Sequence, residues 1–162
     1  MALPIPLEPY TGTVSIGDLA IQADQLILAH CITTEHERTA LVLWSLATYG
    51  YDHYRIFPRL LAISPERRCG KTTLLEVVGA LCRNSIQASN LTPAILSRIK
   101  NLVDDPTLII DEADTFIKNA DGDIKGLINS GHTKSGAQVL KCVGDSHKPQ
   151  VFDTWHPMVI AS

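Results

Sequence analysis

Residues 59–82 constrain the fold more than any other stretch. RLLAIS, residues 59–64, is a short apolar run that reads as a buried strand. Lys71–Cys82, KTTLLEVVGALC, has the apolar spacing of a helix. Between them lies Ser64–Pro65–Glu66–Arg67–Arg68–Cys69–Gly70. Gly70, Lys71 and Thr72 fit the second half of the phosphate-binding pattern G-x-x-x-x-G-K-[ST], while Pro65 stands where its first glycine would be. A bare Gly-Lys-Thr before a helix can arise by chance; the strand before it and the helix after it supply the context. Backbone N–H groups over residues 66–72 can wrap an anion, and the following helix turns its positive end toward it. Glu66, Arg67, Arg68, Cys69, Gly70, Lys71, Thr72 and Thr73 are therefore the candidate contacts to a nucleotide. Lys71 would reach the β- and γ-phosphates, and the Thr72 hydroxyl would ligate Mg²⁺.

A second motif answers the first. TLII, residues 107–110, is a short β-branched run, and Asp111, Glu112, Ala113 and Asp114 follow it. A magnesium–nucleotide site needs a carboxylate at the end of a strand beside the phosphate loop, and hydrolysis needs a second acid to orient water. Asp111 is the candidate metal ligand. Glu112, with Lys71, is the candidate catalytic residue. Asp114 reads as a solvent-facing acid or a helix cap.

The rest of the chain sorts into α and β. Residues 1–14 carry three prolines and no periodicity, and read as an irregular arm. Residues 15–30 have helical spacing. A second helix opens after Thr34, with Glu35 and Glu37 in its first turn, and Gly50 is expected to end it. Residues 85–89 read as a strand, 92–100 as a helix with Pro93 in its first turn, and 121–130 as another helix. Residues 137–143 and 149–154 flank a turn and form a candidate hairpin, and PMVIAS closes the sequence as a strand. Strands alternating with helices predict an α/β fold with a parallel sheet flanked by helices.

Composition narrows the function classes. Hydrophobic residues make up 45% of the 162 and charged residues 19%, as in a globular domain with a core. No apolar run is long enough to span a membrane, MALPIPLEPY is not a signal peptide, and cytosol is the expected compartment. A net charge of −3 does not suit a domain that binds nucleic acid by charge alone. Cys31, Cys69, Cys82 and Cys142 form no metal-ligand spacing and read as reduced thiols. Trp44 and Trp155 read as core residues.

RLLAISPERRCGKTTLLEVV, ASNLTPA, TLIIDEADTF and LINSGH together resemble an uncharacterised P-loop ATPase domain found in primase–helicase-like proteins of bacteria, phages and other mobile elements. The resemblance runs from about residue 39 to residue 162, and Pro65 belongs to that family's loop. The family is similar to AAA+ and superfamily 3 helicase ATPases, which hydrolyse ATP between subunits of a ring. It implies ATP and Mg²⁺ as ligands. Lys71 and Thr72 take the Walker A positions and Asp111 and Glu112 those of Walker B. Asn129, Ser130, Gly131 and His132 match a family segment with no assigned role. The implied organisation is an arm over 1–14, a helical segment over 15–56 packed on the core, and a nucleotide-binding core over 57–162. PMVIAS matches the strand that ends in the sensor 1 residue. The region that usually follows it, with the fifth strand, the arginine finger and the sensor 2 helix, is not in the sequence. The expectation is therefore slow ATP hydrolysis by the isolated chain, a monomer or small oligomer, and an exposed sheet edge open to a partner protein. In related helicases the hairpin before this strand grips single-stranded nucleic acid; Lys141, His147 and Lys148 are the candidate contacts here, and an ordinary solvated turn is the alternative. Three functions stay open: an ATP-dependent helicase or primase-type motor domain in a bacterial or phage-infected cell, a module that binds or blocks a partner protein without catalysis, and a small-molecule kinase.

Overall fold

The computed structural model describes residues 10–63, 69–88, 91–111, 122–143 and 148–162. Two helices come first. Ser15 caps α1 (Ile16–His30) by accepting from the Asp18 N–H at 3.3 Å. Thr34 opens α2 (Glu35–Ala47) through a reciprocal capping box with Glu37. The α-helix stops at Ala47, before Gly50, and the chain tightens into a 3₁₀ segment over Thr48–His53. Gly50 itself leaves helical geometry there. The tighter turn carries Thr48 and Tyr51 into the interior.

The sheet is built from β1 (Leu60–Ala62), β2 (Ser85–Ala88), β3 (Thr107–Ile110) and β6 (Met158–Ala161), all parallel, in the order β1-β6-β3-β2. The crossovers run through α3 (Lys71–Leu81), α4 (Pro93–Arg98, with a 3₁₀ turn over Ile99–Asn101) and α5 (Gly122–Ser130). Thr92 caps α4, accepting from the Ile95 N–H. β4 (Gln138–Val143) and β5 (Lys148–Asp153) form a separate antiparallel hairpin. The α/β parallel architecture expected from the sequence is present, with helices on both faces.

β3 and β6 are buried along their whole length, and their side chains alternate between the two faces as the pleat requires. Ile109, Val159 and Ala161 pack into one cluster with Leu75 and Val78 of α3 and with Ile27, Leu41 and Trp44 of the first two helices. Leu108, Ile110, Met158 and Ile160 pack into a second cluster with Leu96, Ile99, Leu127 and Ile128. Trp44, Tyr51, Phe57 and Trp155 are all buried, and their rings stack edgewise or tilted at centroid distances of 5.6–6.3 Å. The Trp44 indole N–H donates to the Pro58 carbonyl at 2.8 Å, which fixes α2 to the approach of β1.

β1 is an edge. Ser162 N–H donates to Ala62 O at 3.0 Å, so Ala62 and Leu60 turn their backbone groups toward β6. Leu61 turns its own to the open side, where no strand pairs with it among the described residues. Its side chain is 59% exposed.

At the opposite end of the same strand lies a buried charge. Arg59 Nη1 donates to the His156 carbonyl at 2.6 Å, while its Nε and Nη2 are buried without partners. Burial pushes the guanidinium down to about 10. His156 is fully buried with both ring nitrogens unpartnered. Burial first, then the neighbouring Arg59 charge, holds its imidazole neutral and drives its pKa down to about 3. Unfolding releases it to the ordinary value near 6.5, so the unfolded chain binds the extra proton. Stability from this group is complete above pH 6.5 and falls as the pH drops from there toward 3. We expect denaturant titrations at pH 7.5 and 5.5 to differ by about 1 kcal/mol from this source. His156→Asn should shrink that difference; an unchanged difference in the variant would assign the acid sensitivity to other groups.

Candidate functional site

The carboxyl ends of β1 and β3 meet the N-terminus of α3, and the sequence explains how each part is set. Gly70 precedes α3 with φ 86° and ψ 12°, the left-handed region that a side chain resists. That conformation turns the chain from the loop directly into Lys71, the first residue of an 11-residue helix. The Gly70 carbonyl already accepts the first helical bond, from Leu74 N–H at 2.9 Å. The first-turn N–H groups of α3 therefore have no helical acceptor. Lys71 adds a cation beside them.

Thr72 stands across from the end of β3. Its hydroxyl donates to Asp111 Oδ2 at 3.4 Å. Asp111 is held in register by its own N–H, which donates to Ala88 O of β2 at 3.2 Å. One hydroxyl and one carboxylate thus converge at the top of the sheet, the pair of hard oxygen donors that a Mg²⁺ ion takes together with phosphate oxygens and water. Glu66, Arg67, Arg68, Glu112 and His147 lie outside the described residues, as do Pro65 and Asp114. Of the sequence candidates, Cys69, Gly70, Lys71, Thr72, Thr73 and Asp111 are therefore the ones the structure gathers.

A cavity of about 570 Å³ opens beside this group. Cys69, Gly70, Lys71 and Thr73 form one part of its lining, and β1 with the following Ile63 another. The end of α1 and the connection to α2, His30 to Thr33, form a further part with Glu37 and Leu41. Thr33 Oγ1 is buried there without a hydrogen-bond partner. The Glu37 carboxyl is held below its usual range by the Thr34 backbone and hydroxyl, which donate to it. Sequence reasoning missed this lining. The CITTEHE stretch reads only as a helix break and a cap, and nothing in its spacing says that it folds back toward the phosphate loop. A second opening of similar size lies between α3 and β2–β3, with Glu76, Ser85, Gln87 and Asp111 along it.

The hairpin candidates separate. Lys141 is partly buried and its Nζ donates to the Pro93 carbonyl of α4 at 3.2 Å, so it braces the hairpin against the body. Arg98 lies over the Phe152 ring at 5.4 Å on the same side. Lys148 is exposed.

Residues 129–132 form the end of α5 and the turn after it. His132 Nδ1 hydrogen-bonds the Asn129 carbonyl, and the His132 carbonyl accepts from Phe57 N–H at 2.9 Å. Lys134 N–H donates to Arg55 O, and Thr133 bridges Ile56 antiparallel. The segment clamps the strand that leads into β1. Gly131 is where Arg59 passes: a Cβ there would lie 2.4 Å from Arg59 Nη2 and 3.1 Å from the Leu127 and Thr154 carbonyls. The close approach to two fixed backbone oxygens leaves little room to relax.

Among the described residues no cluster of His, Cys, Asp and Glu has the geometry of a metal cage, and no helix is long and apolar enough to cross a membrane. Compared with models of known protein families the chain matches none, and no curated protein matches it.

Gly131→Ala should destabilise the fold by about 1–3 kcal/mol through overpacking against Arg59. Urea unfolding at pH 7.5 measures this; an unchanged midpoint would mean that the guanidinium swings clear at no cost.

Proposed function

We propose that the chain is the ATP-binding domain of a helicase or primase-type motor of phage or mobile-element origin, with hydrolysis dependent on Mg²⁺. The observation that carries this reading is the juxtaposition at the top of the sheet. A left-handed Gly70 delivers Lys71 to the N-terminus of α3, and Thr72 faces Asp111 across the site at 3.4 Å. Open parallel sheets place ligands outside the carboxyl ends of their strands, where these residues stand. The β- and γ-phosphates would lie against the first-turn N–H groups and Lys71. Thr72 and Asp111 would hold Mg²⁺, which would supply positive charge to offset that of the phosphates. Glu112, the next residue after Asp111, would orient the attacking water. The cavity beside Lys71, about 570 Å³ with apolar surface from Leu41 and Leu60, would take the base and ribose.

A second reading, a nucleotide-binding module that pairs with a partner protein, is favoured by the open edge of β1. An edge strand with outward backbone groups is a template for a strand from another chain. Contact with single-stranded nucleic acid through the hairpin rests on Lys148 and His147, because Lys141 is engaged with α4.

Titration with labelled ATP and Mg²⁺ tests the leading reading. Lys71→Ala should weaken binding at least about tenfold, roughly 1.4 kcal/mol, since no neutral side chain replaces the ammonium on the phosphates. Equal affinities would sink the phosphate-loop assignment. Glu112→Gln should retain nucleotide and lose hydrolysis; turnover at the wild-type rate would remove Glu112 from the chemistry and favour a water oriented by other groups.

A further inference from the structure

Among the described residues, Glu37 brings the one carboxylate to the lining of the cavity beside β1. Glu37 lies in the first turn of α2, and the capping box fixes where its acid group stands. The Thr34 N–H donates to Glu37 Oε2 at 2.7 Å, and the Thr34 hydroxyl donates to the same oxygen at 2.8 Å. These two donors hold the carboxyl below its usual range. It is therefore ionised at neutral pH and can only accept hydrogen bonds. Oε2 is engaged, while Oε1 takes no hydrogen bond from a described residue.

Glu37 and Leu41 stand four residues apart on α2, so they share a helix face, and both line the cavity. Leu60 of β1 adds further apolar surface. Lys71 lines the same space from the start of α3. The cavity thus holds one cation and one anion, on different elements. A polyphosphate is attracted by Lys71 and repelled by Glu37, so the part of a nucleotide that meets Glu37 is its uncharged end.

We propose that Glu37 sets the base preference of the site: Oε1 accepts a hydrogen bond from the 6-amino group of adenine. This inference rests on the nucleotide-binding function proposed above. The flat base would lie on Leu41, with its amino edge toward the carboxylate one turn away. Adenine offers a donor at position 6, where guanine and hypoxanthine offer a carbonyl. A carbonyl there sets acceptor against acceptor. Guanine's neighbouring N1–H and 2-amino group suit a carboxylate with both oxygens free, and Thr34 already occupies Oε2. Glu37 is exposed, so water competes for Oε1 and the discrimination is a matter of severalfold.

The test compares three triphosphates with Mg²⁺ by competition against labelled ATP: ATP itself, purine riboside triphosphate, which has hydrogen in place of the amino group, and inosine triphosphate, which has a carbonyl there. The wild-type chain should bind ATP at least about fivefold more tightly than purine riboside triphosphate. Glu37→Gln keeps an acceptor for Thr34, since glutamine also closes a capping box, and puts an amide N–H₂ in place of Oε1. The variant should lose affinity for ATP, gain affinity for inosine triphosphate and leave purine riboside triphosphate unchanged. Lys71→Ala should weaken all three alike, because they share their phosphates. Equal wild-type affinity for ATP and purine riboside triphosphate, or an equal loss of all three in Glu37→Gln, would overturn the role of Glu37 and leave nucleotide binding standing. A wild-type chain that binds none of the three would overturn both.

Discussion

Burial of β3 and β6 on both faces governs the arrangement of everything else. Leu108, Ile109 and Ile110, with Met158, Val159 and Ile160, are all within the interior, and their alternation sends side chains into two separate clusters. A strand with no solvated face has nowhere along its length for a charged group. Polar chemistry is thereby confined to the strand ends, and at the carboxyl end Asp111 appears at the first position after Ile110. The helix that follows β1 must return across the same face, so its N-terminus arrives at that end too. Thr72 and Asp111 come together because the sheet leaves no other place for either.

The unusual polar residues follow the same logic at the opposite end. Arg59 precedes β1 and His156 precedes β6, and both are drawn inside by the aromatic packing of Phe57 and Trp155. Neither forms an ion pair with a carboxylate among the described residues. The guanidinium keeps one strong bond, to a backbone carbonyl, and the imidazole remains neutral. Removing the Arg59 guanidinium would leave the buried His156 carbonyl without its donor, so this corner tolerates loss of Arg59 poorly.

Much of the architecture was legible because local signals agreed with one another. TLII and MVIA are β-branched and short, KTTLLEVVGAL is amphipathic, Thr34 is a capping residue, Pro93 opens a helix, and each became the element its pattern indicated. Gly70 and Lys71 were legible because a strand and a helix bracket them. Boundaries were less so: Gly50 did not end α2 as an α-helix, since burial of Tyr51 extended the turn as 3₁₀ structure. What the sequence could not disclose was proximity between distant segments. The wall supplied by His30 to Thr33, the bracing of Lys141 by Pro93, and the fit of Arg59 against Gly131 each join residues far apart in the chain. No spacing rule reaches that far. The LINSGH segment shows the gap most clearly: its resemblance marked it, while its work, clamping the approach to β1, is visible only in three dimensions.

A wall of strands between two apolar clusters has a mechanical meaning. Side chains of α3 and of the first two helices share one compartment; those of α4 and α5 share another, and the pleat gives each compartment its own set of sheet residues. Compartments that share no side chains relax independently, so a void opened in one is not filled from the other. α3, which begins at Lys71, belongs to the first compartment through Leu75 and Val78, and Asp111 directly follows β3 of the partition. Sequence drift around α4 and α5 can therefore proceed with little strain transmitted to Lys71, while the first compartment is tied to the site through the helix that carries it.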